Sequence, residues 1–162
     1  MKFLLLILGL LAISSNILVA EEVPFPNLTP TQLLVHIGGF GGPNYSVELK
    51  GDTVIYQATG AGISREKNVS IHPDQATWSR FLKEINEAKL YRWSKDYPNH
   101  GVMDGTQWSI TMEIDGRKIY SRGSNNYPTD GNEAKPTNSA ENSRSFNLFC
   151  EAISHLVGQE FR

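Results

Sequence analysis

The sequence predicts an α+β domain, an antiparallel sheet with two helices packed on one face. Three observations predict it. Two runs of strict apolar–polar alternation each fold back at a glycine-containing turn, two later stretches carry apolar residues at helical spacing, and the hairpin-then-helix order occurs twice.

The chain opens on MKFLLLILGLLAISSNILVA. Lys2 gives a short positive start, residues 3–13 an apolar run, and Leu18-Val19-Ala20 a cleavage site before the acidic pair Glu21-Glu22. That is the pattern of an export signal over residues 1–20. An uncleaved anchor is the alternative, but Ser14, Ser15 and Asn16 interrupt a stretch that only just reaches the roughly 17–25 apolar residues a span needs. The expected product is exported to the periplasm or the extracellular space, with no stable membrane insertion after cleavage. No cysteine follows the apolar run to act as a lipoprotein site.

Removing twenty of 162 residues leaves 142, a length that normally forms one domain with a core of its own. Cys150 is the sole cysteine, so no internal disulfide forms, and a chain of this size does not need one. Lys2 is the one charge in the leader, so its loss moves the formal net charge from −2 to −3. A mildly acidic chain with no Lys/Arg run argues against nucleic acid as a partner.

Residues 21–30, EEVPFPNLTP, carry three prolines and read as an extended tether into a single domain over 31–162. The first strand follows, with Leu33, Val35 and Ile37 on one face and Leu34 and His36 on the other. Gly38-Gly-Phe-Gly-Gly-Pro43 ends it, and Tyr45, Val47 and Leu49 resume the alternation. Gly51-Asp52 fits a two-residue hairpin turn that pairs Leu49 with Val54, Val47 with Tyr56 and Tyr45 with Ala58. After a loop, Pro73 suits the first helical position and Asp74 the positive end of the helix dipole, with Trp78, Phe81, Leu82, Ile85 and Ala88 forming the apolar stripe.

A loop over 91–105 leads to a second hairpin, in which Trp108, Ile110, Met112 and Ile114 alternate with polar residues. Asp115-Gly116 is a type I′ turn signal that sets Glu113 opposite Lys118 and Met112 opposite Ile119. Residues 123–143 are polar and long for a connection, and such loops tend to carry function. Asn138 and Glu141 read as a capping pair for a second helix bearing Phe146, Phe149, Cys150, Ile153 and Leu156, ended by Gly158. The two hairpin-plus-helix stretches match in pattern, as a duplicated unit or a chance likeness would.

Three segments, Gly38-Gly-Phe-Gly-Gly-Pro43 with Tyr45, Asp104-Gly-Thr-Gln-Trp108, and Gly123-Ser-Asn-Asn-Tyr-Pro128, together resemble small exported bacterial domains of unknown function. Those domains share a glycine-rich strand start, a DG-x-x-W strand and a G-x-N-x-YP loop. The resemblance spans most of residues 31–157 and implies a fold without implying catalytic residues.

The glycine run passes from strand to strand, unlike a phosphate loop, and so reads as a tight turn or bulge. His36, His72, His100 and His155 are scattered and lack metal-ligand spacing, and none of the common hydrolase or zinc motifs occurs. His100 shares a loop with Asp96, Asn99 and Asp104, so a general base or metal ligand there is the basis of an enzyme reading centred on His100 and Asp104. Asp130-Gly-Asn-Glu133 lacks the pattern of a calcium loop and reads as solvated. Cys150 falls on the buried stripe, where a thiol is normally inert packing.

Aromatic residues in the loops, Phe40, Tyr97 and Tyr127 above all, are the candidate binding residues, while Tyr91 and Trp93 suit the edge of the core. The expected function is an exported binding or inhibitory module whose loops 38–44, 94–107 and 123–137 form a recognition edge for a protein or cell-envelope ligand. No cofactor is implied. The alternative is a small hydrolase or metal-dependent enzyme.

Overall fold

A computed structural model describes residues 28–101, 104–129 and 137–162. The expected leader, most of the expected tether and the 130–133 segment lie outside the described residues. Among the described residues seven strands form one sheet: β1 (Gln32–Gly38), β2 (Pro43–Lys50), β3 (Thr53–Gly60), β4 (Lys67–Ile71), β5 (Asp96–Tyr97), β6 (Gln107–Ile114) and β7 (Arg117–Ser124). Their order across it is β4-β3-β2-β1-β6-β7-β5, antiparallel throughout except for the short β5–β7 pair. Helices α1 (Gln75–Glu87) and α2 (Arg144–Val157) pack on one face, and short 3-10 turns occupy Leu90–Arg92 and Ala140–Asn142.

Alternation decides which face is covered. Val35, Val47, Val54, Tyr56, Ile110 and Met112 are buried against Phe81, Leu82, Phe149 and Ile153 of the helices, whereas Leu34 and Tyr120 on the opposite face stay exposed. Both hairpins have the expected register: Leu49 lies opposite Val54, Val47 opposite Tyr56, Glu113 opposite Lys118 and Met112 opposite Ile119. Asp115 takes φ 50° and Gly116 φ 69°, both positive, as a type I′ turn demands. β2 and β6 flank β1, run the same way and set Tyr45 and Trp108 opposite one residue, Ile37. β3 and β7 then lie outboard on opposite sides, so the two hairpin-plus-helix units are mounted on β1 in mirrored order.

The helix starts differ from the sequence expectation. Asp74 is the N-cap of α1, its carboxylate accepting from the Thr77 N–H at 2.7 Å, and Pro73 precedes it. The Asp74 side chain reaches forward to the N–H three residues on and so takes the N-cap position, which leaves Pro73 one residue outside the helix instead of at its first position. α2 is capped by Ser143, which accepts from the Phe146 N–H at 3.1 Å, so Asn138 and Glu141 are not its capping pair; Glu141 lies in the 3-10 turn ahead of the helix. Gly158 ends α2 with a left-handed residue as expected. Two strands had no counterpart in the sequence reading, β4 and β5, both at the sheet edges. Among the described residues no helix is long and apolar enough to cross a membrane.

The segment that follows α2 is part of the core. Phe161 is buried, its ring 6.0 Å from that of Tyr45, and the Tyr56 hydroxyl donates to the Glu160 carbonyl at 2.5 Å. Burial, followed by the nearby Tyr45 and Glu160, pushes the Tyr56 phenol up to about 12, so it remains a donor.

Candidate functional site

The antiparallel order carries the β1–β2 connection, the start of β6 and the end of β7 to the same end of the sheet. The segments around residues 38–43, 104–108 and 123–128 therefore meet there. Gly39 packs so closely on the Gly105 backbone that a Cβ on Gly39 would lie 2.8 Å from the Gly105 carbonyl oxygen. A side chain at this point would push the two loops apart.

Asn125 and Asn126 fasten this end. Asn125 holds a positive φ of 41°, which asparagine tolerates better than most residues. Its side-chain oxygen accepts from the Thr106 N–H at 2.7 Å, its own N–H donates to the Thr106 carbonyl at 2.9 Å, and its carbonyl accepts from the Asn99 side chain at 3.2 Å. Asn126 accepts the Trp108 indole N–H at 2.9 Å and donates to the Pro98 carbonyl at 2.9 Å. Ser143, the cap of α2, also donates to the Pro128 carbonyl and so ties the loop to the helix. Both asparagines fall within the Gly123–Pro128 motif, where the sequence alone assigns them no role. Two consecutive asparagines at a strand end were the available signal, since their side chains bond locally to backbone.

Beneath the loops lies an aromatic cluster. Trp108 packs on Trp93, Tyr97, Tyr127 and Phe146 at centroid distances of 5.6, 5.6, 6.3 and 5.1 Å. Tyr97 and Tyr127 are 7 % and 4 % exposed, and Phe40 is 92 % exposed. Of the three candidate binding aromatics, two thus belong to the packed layer and one stands free at the loop tip. Burial raises the Tyr127 phenol above its ordinary range. Trp93 sits at the edge of the core as expected, its indole N–H donating to Ser145 Oγ at 3.0 Å, and Tyr91 is 42 % exposed.

A cleft of about 470 Å³ opens beside Phe40, lined by Pro43, Asp104, Asn125, Tyr127 and Arg162 among others. Cys150 lies at its floor, buried, and desolvation pushes its thiol up to about 12. A neutral thiol is a poor nucleophile. Asp104 is on the cleft wall, whereas His100 lies in the preceding exposed turn, where Asn99 accepts from the Gly101 N–H at 3.3 Å. Among the described residues no group of three or more His, Cys, Asp and Glu side chains is placed to hold a metal ion. The arrangement offers a shaped surface with one projecting ring.

The sequence matches no family model, and no curated protein matches it.

Proposed function

We propose that the protein is an exported binding or inhibitory module that engages a protein or cell-envelope ligand through the loop end of its sheet, with Phe40 as the projecting anchor. Phe40 carries this reading. A phenylalanine that is 92 % exposed contributes almost nothing to the fold, yet would gain roughly 1.5–3 kcal/mol on burial in a partner's pocket. Its loop is braced from below by the Gly39–Gly105 contact, so the ring is presented from a defined base. The neighbouring cleft would receive part of the partner in return. The leader over residues 1–20 and the likeness of the three loop segments to exported bacterial domains support the same setting.

The test compares the mature chain with Phe40→Ala as immobilised baits for the native envelope or secreted fraction. The expected result is an unchanged melting temperature and a loss of the recovered partner. Equal recovery by both baits would overturn the reading. Tyr97 and Tyr127 are unsuitable for this comparison, because their substitution disturbs the aromatic cluster as well.

A further inference from the structure

The sheet face opposite the helices carries a row of small and amide side chains perpendicular to the strands. Asn68, Gln57, Ser46, His36 and Ser109 stand on adjacent strands in matched register, and Arg122 and Asp96 complete the row on β7 and β5. Strands lie about 4.8 Å apart, so the five steps from Asn68 to Arg122 cover about 24 Å. At the β5 end a groove of about 370 Å³ is lined by His36, Ser109, Arg122, Asp96 and Pro98 among others. At the β4 end the row reaches the edge of the sheet.

The charges of this face neutralise one another. Arg122 Nε donates to Asp96 at 2.5 Å, Lys50 meets Glu48 at 3.0 Å and Lys118 meets Glu113 at 3.3 Å. Between the pairs stand hydroxyls, amides and one imidazole, and each hydroxyl or amide can both donate and accept. Ser46 donates to the Gln57 side-chain oxygen at 3.3 Å, and the Gln107 amide donates to Ser124 at 2.7 Å, so these four side chains of the face are held in place before any ligand arrives. The exposed ring of Tyr120 lies two residues from Arg122 on the same strand and the same face.

We propose that this row is a binding site for a neutral polysaccharide chain, with Tyr120 stacking on a sugar ring beside it. Sugar hydroxyls are donors and acceptors at once, as the row's side chains are, and a chain of sugars is linear, as the row is. An anionic polymer would meet no unpaired cation among these ion pairs. A protein partner would look for a buried apolar centre, and here Leu34 and Tyr120 are separated by the polar Thr111. The site is independent of the Phe40 surface.

Affinity electrophoresis of the mature chain through gels containing hydroxyethyl cellulose, xyloglucan, laminarin or dextran tests the proposal, with heparin and polygalacturonate as anionic counterparts. The expected result is retardation by at least one neutral polymer and by neither anionic one. Tyr120→Ala and Ser109→Glu should each weaken that retardation about tenfold while the melting temperature is held, because both side chains face solvent. Phe40→Ala should migrate as the unaltered protein does, which separates this site from the loop end. Retardation by none of the neutral polymers, by the anionic ones alone, or undiminished in both Tyr120→Ala and Ser109→Glu would overturn it.

Discussion

Trp108 lies across Gly123, its partner on β7, so closely that a Cβ on the glycine would fall 2.4 Å from the indole nitrogen. The same imagined atom would lie 2.4 Å from the Asn126 carbonyl oxygen, which accepts that indole's N–H. The absence of a side chain on Gly123 is therefore what lets Trp108 bond to the loop that Asn126 anchors. Gly123→Ala should cost about 1–3 kcal/mol as the indole or the loop is displaced. Urea unfolding measures the loss, and a variant as stable as the parent would contradict the packing described.

Phe161, in the segment that follows α2, is a second test of the core. It is 1 % exposed and contacts the Tyr45 ring. Phe161→Ala should destabilise by about 3–5 kcal/mol, as removal of a buried phenylalanine does. Arg162→Ala, at an exposed neighbour, should change the melting point little.

Cys150 should resist iodoacetamide in the folded protein at pH 8, because desolvation holds the thiol protonated up to about 12. Labelling should begin with denaturant, tracking unfolding. Rapid labelling of the native protein would show that the cleft floor is open to solvent.

Asp74 provides a pH test. The Thr77 hydroxyl and then the Thr77 N–H donate to its carboxylate, at 2.6 and 2.7 Å, and hold its pKa below the ordinary value. A carboxyl depressed in the folded state stabilises fully above its unfolded value, about pH 3.9, and the contribution is lost as the pH falls through the folded value. Asp74→Ala should therefore melt below the parent at pH 7, with the gap closing as the pH is lowered below about 4. A constant gap down to pH 2 would mean that the charge of Asp74 is irrelevant to the cap.

The hairpins were legible because their registers follow from local rules. Once Asp115-Gly116 turns, Glu113 must face Lys118, and the two side chains form an ion pair at 3.3 Å. β4 escaped because its five residues offer only Val69 and Ile71 as apolar alternation, both half-buried at an edge. β5 is two residues long and exists through its pairing with β7, which no local pattern announces. The site was legible as a set of loops, and less so as individual side chains. Phe40, Tyr97 and Tyr127 are alike in sequence terms, since loops have no periodicity from which direction can be read. What separates them is Trp108, which covers the two tyrosines from β6 and leaves Phe40 beyond reach.

The first strand of the domain occupies the middle of the sheet, and this bears on the order in which a growing chain can fold. β1 finds β2 at once, but its other edge waits for β6, with Gln32 paired to Glu113 far along the chain. A chain that ends before β6 would leave the edge of β1 that pairs with β6 without its partner strand, beside the apolar side chains of Leu33, Val35 and Ile37. Such an intermediate is slow to mature and prone to self-association. A chain truncated after β4 should therefore aggregate instead of yielding a smaller stable domain, and ribosome-bound chains should gain protease resistance only after α2 has emerged.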